Sequence, residues 1–155
     1  MRKVKKGLIM KFEKFLKSTG THGIVIERNE SEKWLVCGGV GMVIPEGVDN
    51  LLGIPTASNY VGTVRALANA EYDDPVTLKE AILLDPTGNA KAIYRVFETS
   101  LGDTVGIINA DYGLLEKSDR LGYGEIETEG ETVKYLLVYD YNDNVVGFIT
   151  GSDKF

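Results

Sequence analysis

Apolar and polar positions change their spacing several times along this chain, and each change marks an element. In residues 10–18, MKFEKFLKS, the side chains of Phe12, Phe15 and Leu16 share one helical side, Lys14 and Lys17 lie opposite, and Lys11 sits near the boundary. This predicts a short amphipathic helix, ended by the glycines of STGTHG. Residues 23–39, GIVIERNESEKWLVCGG, then read as a hairpin: Ile24, Val25 and Ile26, a polar loop, and Trp34, Leu35 and Val36. VGMVIPEG continues as a third strand closed by Pro45, and EGVDNLLGI between Pro45 and Pro55 is a short helix or turn. NYVGTVRALAN, residues 59–69, places Val61, Val64, Leu67 and Ala68 at helical spacing with Arg65 off that side.

PVTLKEAILL (75–84), KAIYRVFET (91–99) and TVGIIN (104–109) are rich in β-branched and aromatic residues and are separated by turn sequences. They predict strands. ADYGLLEKSDRL predicts a helix near 110–119, capped by Asn109 or Asp111 and turning Tyr112 and Leu115 inward. GYGEIE, TVKYLLVYDY and NVVGFITG predict three final strands, the last two joined over Asn142-Asp143. About eight or nine strands and three helices result, with helices preceding runs of consecutive strands and no βαβ rhythm. The expected fold is one α+β domain over residues 1–155 with antiparallel sheet. Phe12, Phe15, Trp34, Leu115, Val138 and Phe148 are the expected core.

Composition agrees with a folded, soluble protein: 43% hydrophobic and 26% charged residues. Cys37 is the single cysteine, which excludes an internal disulfide and a cysteine-based zinc site and suits a reducing cytoplasm. The basic start MRKVKKGLIMKFEKFLK has too short an apolar run for an export signal. Met10 opens its own segment as naturally as Met1 does, so residues 1–9 can be an upstream extension. Net charge is −6, yet seven of the 17 basic residues fall in the first 17 positions. That asymmetry fits either a basic face directed at a polyanion or a solvated helix end.

Candidate chemistry is thin. Tested from Gly39, the G-x-G-x-x-G pattern puts Ile44 where its third glycine belongs, so CGGVGMVIPEG reads as strand with close approaches rather than a phosphate loop. His22 is the single histidine, which excludes a His-based metal cluster and leaves no nucleophile elbow for it to serve. Asp73-Asp74, and Asp140 with Asp143, have turn chemistry without a calcium-loop rhythm. Asp111, Glu116 and Asp119 lie within nine positions, but as a cap and two solvent-side helical residues they do not form an active site. The chain is read as non-catalytic, with no cofactor and no metal.

The order of elements over residues 91–150, namely KAIYRVFET, TVGIIN, ADYGLLEKSDRL, GYGEIE and KYLLVYDYNDNVVGFITG, resembles a domain of the DNA sliding clamps. Domains of that family consist of two βαβββ units. The resemblance carries no diagnostic motif, and FITGSDKF stands where a Met-Pro signature usually ends a clamp. Clamps close a ring from six domains, so a single-domain relative implies a larger homo-oligomer, or a fold kept without the ring. The resemblance further implies double-stranded DNA and other replication or phage proteins as partners, a cytoplasmic location, no membrane, and contact with phosphates through helix-borne cations, here Lys11, Lys14, Lys17, Arg65, Lys117 and Arg120. The alternative expectation is a phage structural or regulatory protein-interaction domain that does not bind DNA.

Overall fold

In the computed structural model the residues described are 10–19, 22–29, 32–45, 61–69, 77–83 and 93–152. Among these residues three helices and nine strands follow one another as helix and three strands, three times over. They are α1 (Phe12–Thr19), β1 (Ile24–Asn29), β2 (Glu32–Cys37), β3 (Val40–Val43), α2 (Val61–Ala68), β4 (Thr77–Leu83), β5 (Ile93–Glu98), β6 (Thr104–Ile108), α3 (Asn109–Tyr112), β7 (Arg120–Thr128), β8 (Glu131–Tyr139) and β9 (Val145–Thr150). A six-stranded sheet runs β1-β2-β3-β9-β8-β7 and a three-stranded sheet β4-β5-β6. Every pairing is antiparallel. The fold is α+β, as its sequence pattern predicts. Among the described residues its elements come as three αβββ runs. None of the described helices is long and apolar enough to cross a membrane.

Successive side chains of a strand point to opposite faces, so a strand buried along its whole length must be covered twice. The second half of β8 is such a stretch: Tyr135 through Tyr139 are all buried. Leu136 and Val138 join Leu35, Met42 and Ile149 in a first core, closed by Phe15 of α1, by Leu114, and by Phe97, Val105 and Ile107 of the small sheet. Tyr135, Leu137 and Tyr139 join Trp34, Val36 and Phe148 in a second core on the other face, closed by Val64 and Leu67 of α2. The six-stranded sheet is therefore the middle layer. Just beyond β9 the backbone bridges the two sheets: Gly151 N–H donates to the Lys134 carbonyl of β8 and Ser152 N–H to the Gly106 carbonyl of β6, both at 2.7 Å.

The glycine run is explained by two separate needs. Cys37 pairs with Val40, and the two residues between them, Gly38 and Gly39, have φ of +60° and +82°, the left-handed pair that a two-residue hairpin turn requires. Gly41, within β3, lies under the Phe148 ring, where a Cβ would come within 2.3 Å of Cε2. Phe148 uses that space to pack on Trp34, with ring centroids 5.9 Å apart. Trp34 is fully buried, and its indole N–H donates to Glu32 Oε2 at 2.8 Å. Arg28 donates to the same oxygen and to Asn69 Oδ1, each at 3.0 Å, which ties the first hairpin to the end of α2.

Phe15, Trp34, Val138 and Phe148 are core residues as expected, while Phe12 and Leu115 are partly buried against the first core. The helix expected near 110–119 is corrected to four residues. It stops at Gly113, and the chain continues in turns, Leu114 N–H on the Asp111 carbonyl and Asp119 N–H on the Glu116 carbonyl. Leu114, rather than Leu115, is the residue this turn buries. No side chain caps the helix, so neither Asn109 nor Asp111 has the expected role, and β7 begins two residues before the predicted strand. The join between β8 and β9 lies over Asn142-Asp143 as expected: the Asp140 carboxylate accepts the N–H groups of Asn142 and Asn144, and Asp143 adopts φ +64°. Residues 46–54, 59–60 and 73–74 lie outside the described residues.

Phe15→Ala should lower the unfolding free energy by about 2–5 kcal/mol, whereas Leu115→Ala, already partly exposed, should cost clearly less. Glu32→Ala leaves the buried indole N–H of Trp34 without its acceptor and should cost about 1–3 kcal/mol. Urea unfolding of the three variants beside the parent measures all of these values.

Candidate binding cleft

The six cations expected to meet phosphates do not share one surface. Lys11, just before α1, and Lys14 and Lys17 on α1 are exposed, because the apolar side of that helix is committed to the first core. Lys117 is exposed on the turn between α3 and β7. These four lie on the first-core side of the sheet. Arg65 is exposed on α2, which covers the opposite face. Arg120 is half-buried at the start of β7, forms an ion pair with Asp143 and donates to the Asp140 carbonyl at 3.4 Å. Lys14 Nζ donates to the Gly113 carbonyl at 3.1 Å, which draws α1 towards the end of α3.

Where Lys11, α3 and the following turn meet β5 and β7, they leave an open cleft of about 380 Å³. Phe97, Tyr112, Leu115 and Leu121 give it apolar walls, and Lys11, Lys117, Glu116 and Asp119 give it charges of both signs. The Tyr112 ring is held on its other contacts: the Arg95 guanidinium lies 4.6 Å from its centroid, and Arg95 Nε is fixed by Asn109 Oδ1 at 3.2 Å. Phe97 stands 6.3 Å from the same ring at a tilt. A volume of this size with mainly apolar walls is that of a small ligand pocket or of a seat for one or two side chains of a partner.

Asp119 is the structural centre of this corner. Its Oδ2 accepts the Glu116 N–H at 2.8 Å, and both its oxygens accept the Met10 N–H at 3.2 Å. Desolvation dominates its ionisation and raises its pKa to about 6, against the opposing pull of those two N–H groups. Asp111 is raised by desolvation as well. On the neighbouring strand β7, burial and the Glu125 carboxylate, which accepts the Tyr123 hydroxyl at 2.7 Å, push the Tyr123 phenol up.

Among the described residues no three His, Cys, Asp or Glu side chains gather as a ligand set for a metal. Asp111, Glu116 and Asp119 stay apart in role: Asp119 holds backbone, Glu116 lines the cleft, and Asp111 belongs to the short helix. His22 is exposed and Cys37 is a half-buried neighbour of the first core. Sequence reasoning did not find the cleft, because its walls come from residues 11, 97, 112, 113, 115–117, 119 and 121, and no local spacing announces such a gathering. It also missed Arg95, whose partner Tyr112 lies across a hairpin.

A folded-state pKa above the unfolded value means that the folded protein binds the extra proton. The Asp119 contribution is therefore fully present below its unfolded value near 3.8 and is lost as pH rises through about 6. Denaturant midpoints should show Asp119→Asn gaining on the parent between pH 4 and pH 7. A difference between the two proteins that stays flat over that range would show the carboxylate to be solvated.

No protein-family model, no curated protein and no solved structure matches this chain.

Proposed function

We propose that the protein is a non-catalytic binding domain that docks a partner protein at the cleft between Lys11, α3 with its following turn, and β7. The observation that carries this reading is the combination of apolar walls, backed by the first core, with a rim bearing both lysines and carboxylates. An apolar side chain of the partner would enter between Tyr112, Leu115 and Leu121, and its flanking charges would meet Lys11, Lys117 and Glu116. Such a seat is what the centre of a protein interface needs, an anchor pocket with a polar surround. Peptides selected by display against the whole protein should bind there, losing about tenfold or more in Leu121→Lys or Tyr112→Ala and nothing in Arg65→Glu. Selected peptides that are indifferent to both cleft variants would sink the reading.

A second reading, weak sequence-independent binding of duplex DNA by an assembly of clamp-like copies, is favoured by the lysines alone. Lys14 and Lys17 on α1 and Lys11 just before it are exposed, and Lys11 and Lys117 both line the cleft. Arg65 and Arg120 do not support it, the first facing away and the second paired with Asp143. On this reading log affinity falls linearly with log salt, with a slope of about 0.9 per phosphate neutralised. Charge reversal of Lys11, Lys14 and Lys17 then abolishes binding while the fold stays intact, and reversal of Arg65 has no effect. Duplex titrations at about 50 mM and about 200 mM salt decide it, no detectable binding at the lower salt removing DNA from consideration.

A further inference from the structure

We propose that Met10 and Lys11 form a releasable strap that controls the cleft: the Met10 side chain is a plug in a socket at Gly147, its N–H is latched on Asp119, and plug and latch let go together. The control of docking rests on the cleft reading above; the strap itself does not.

Met10 is 3% exposed although it precedes the first turn of α1. It reaches the six-stranded sheet where β9 offers no side chain. A Cβ on Gly147 would lie 2.2 Å from Met10 Sδ, with the Gly41 carbonyl oxygen the next atom at 3.3 Å, so the missing side chain of β9 is the hole that Met10 fills. The backbone that delivers it has φ +39°, a left-handed conformation that a residue with a Cβ enters at a cost.

Three hydrogen bonds then hold the strap to the turn that follows α3. Met10 N–H donates to both oxygens of Asp119, and Lys11 N–H donates to the Leu114 carbonyl at 2.8 Å. Asp119 meanwhile accepts the Glu116 N–H, so one carboxylate joins the strap to the turn. Lys11 from the strap, and Leu115, Glu116, Lys117 and Asp119 from the turn, all line the cleft. Movement of the strap therefore changes the cleft's rim and frees the carboxylate in its wall.

Release is favoured by the means of attachment. The plug is an unbranched thioether, the most adaptable of apolar side chains. Its backbone is strained, and the latch is a carboxylate that gives up hydration to hold two amides. A segment held this way opens at the low-stability end of the structure, well before β8, which is buried on both faces.

Native-state hydrogen exchange on the whole chain tests the strap. The amides of Met10, Lys11 and Glu116 should exchange about tenfold or more faster than those of Leu136 and Leu137, and with one shared opening constant. Gly147→Ala meets the flexible end of Met10 first and should accelerate the three together by a further factor of about ten or more, with a smaller change in β8. Asp119→Ala should do the same without altering the sheet. Exchange of the three amides only along with β8, or acceleration of Met10 without Glu116, would overturn the strap. Affinity of a cleft-directed peptide should shift about tenfold or more in both variants, and an unchanged affinity with the amides released would overturn its control of docking. Because exchange needs no ligand, failure of every peptide to map to the cleft defeats the docking reading and still leaves exchange to decide the strap.

Discussion

Burial of the six-stranded sheet on both faces is the condition that every other element meets. The five consecutive buried residues from Tyr135 to Tyr139 alternate between two cores, and neither set can be left in water. At roughly 1.5–3 kcal/mol for each large apolar side chain, exposure of either face would remove more than a domain's whole net stability. The remaining architecture answers this demand. One face receives α1 and the small sheet, and the other receives α2. A helix of eight residues cannot persist alone, so α1 and α2 exist because the sheet needs covering, and they are anchored at named points: Phe15 on one side, Val64 and Leu67 on the other.

Covering a sheet from both sides also explains where its glycines fall. Phe148 lies flat over Gly41 on the second face, and Met10 enters over Gly147 on the first. The two glycines are close in the β3–β9 pairing, Gly41 opposite Phe148 and Met42 opposite Gly147. Each absence of a side chain on one strand is filled by a large apolar group from elsewhere. A larger residue at either site would displace that group and with it a contact that joins separate parts of the chain.

Much of this was legible in the sequence because short β-branched and aromatic runs and turn chemistry are local signals. The runs at 24–26, 34–36, 104–108 and 145–150 announce strands, and Phe12, Phe15 and Leu16 announce α1. The misread helix at 110–119 shows where local signals end. Tyr112, Leu115 and Glu116 have helical spacing, but Gly113 lets the chain leave the helix, and Asp119 rewards it for doing so by accepting the Glu116 amide. An Asp six residues after a glycine carries no signature of that act. The cleft was not legible at all, since Phe97, Tyr112 and Leu121 come from three elements that pairing in two different sheets brings together.

Charge placement follows from the same layered construction. A helix laid on a sheet must turn its cations outward, so lysines and arginines on α1 and α2 end on opposite surfaces of a three-layer molecule however they are spaced in the sequence. A set of basic residues chosen by residence on helices is thus divided by the fold itself. What the fold does gather on the α1 side is smaller and mixed: Lys11, Lys117, Glu116 and Asp119 line one cleft with apolar walls. Opposite charges at such spacing weaken one another's field over a Debye length of about 8 Å, so the corner exerts little pull on a distant polyanion. On the docking reading proposed above, selectivity would come from contact, by the shape of the cleft and by the few donors and acceptors on its rim, which suits a partner's side chain better than a uniform phosphate backbone.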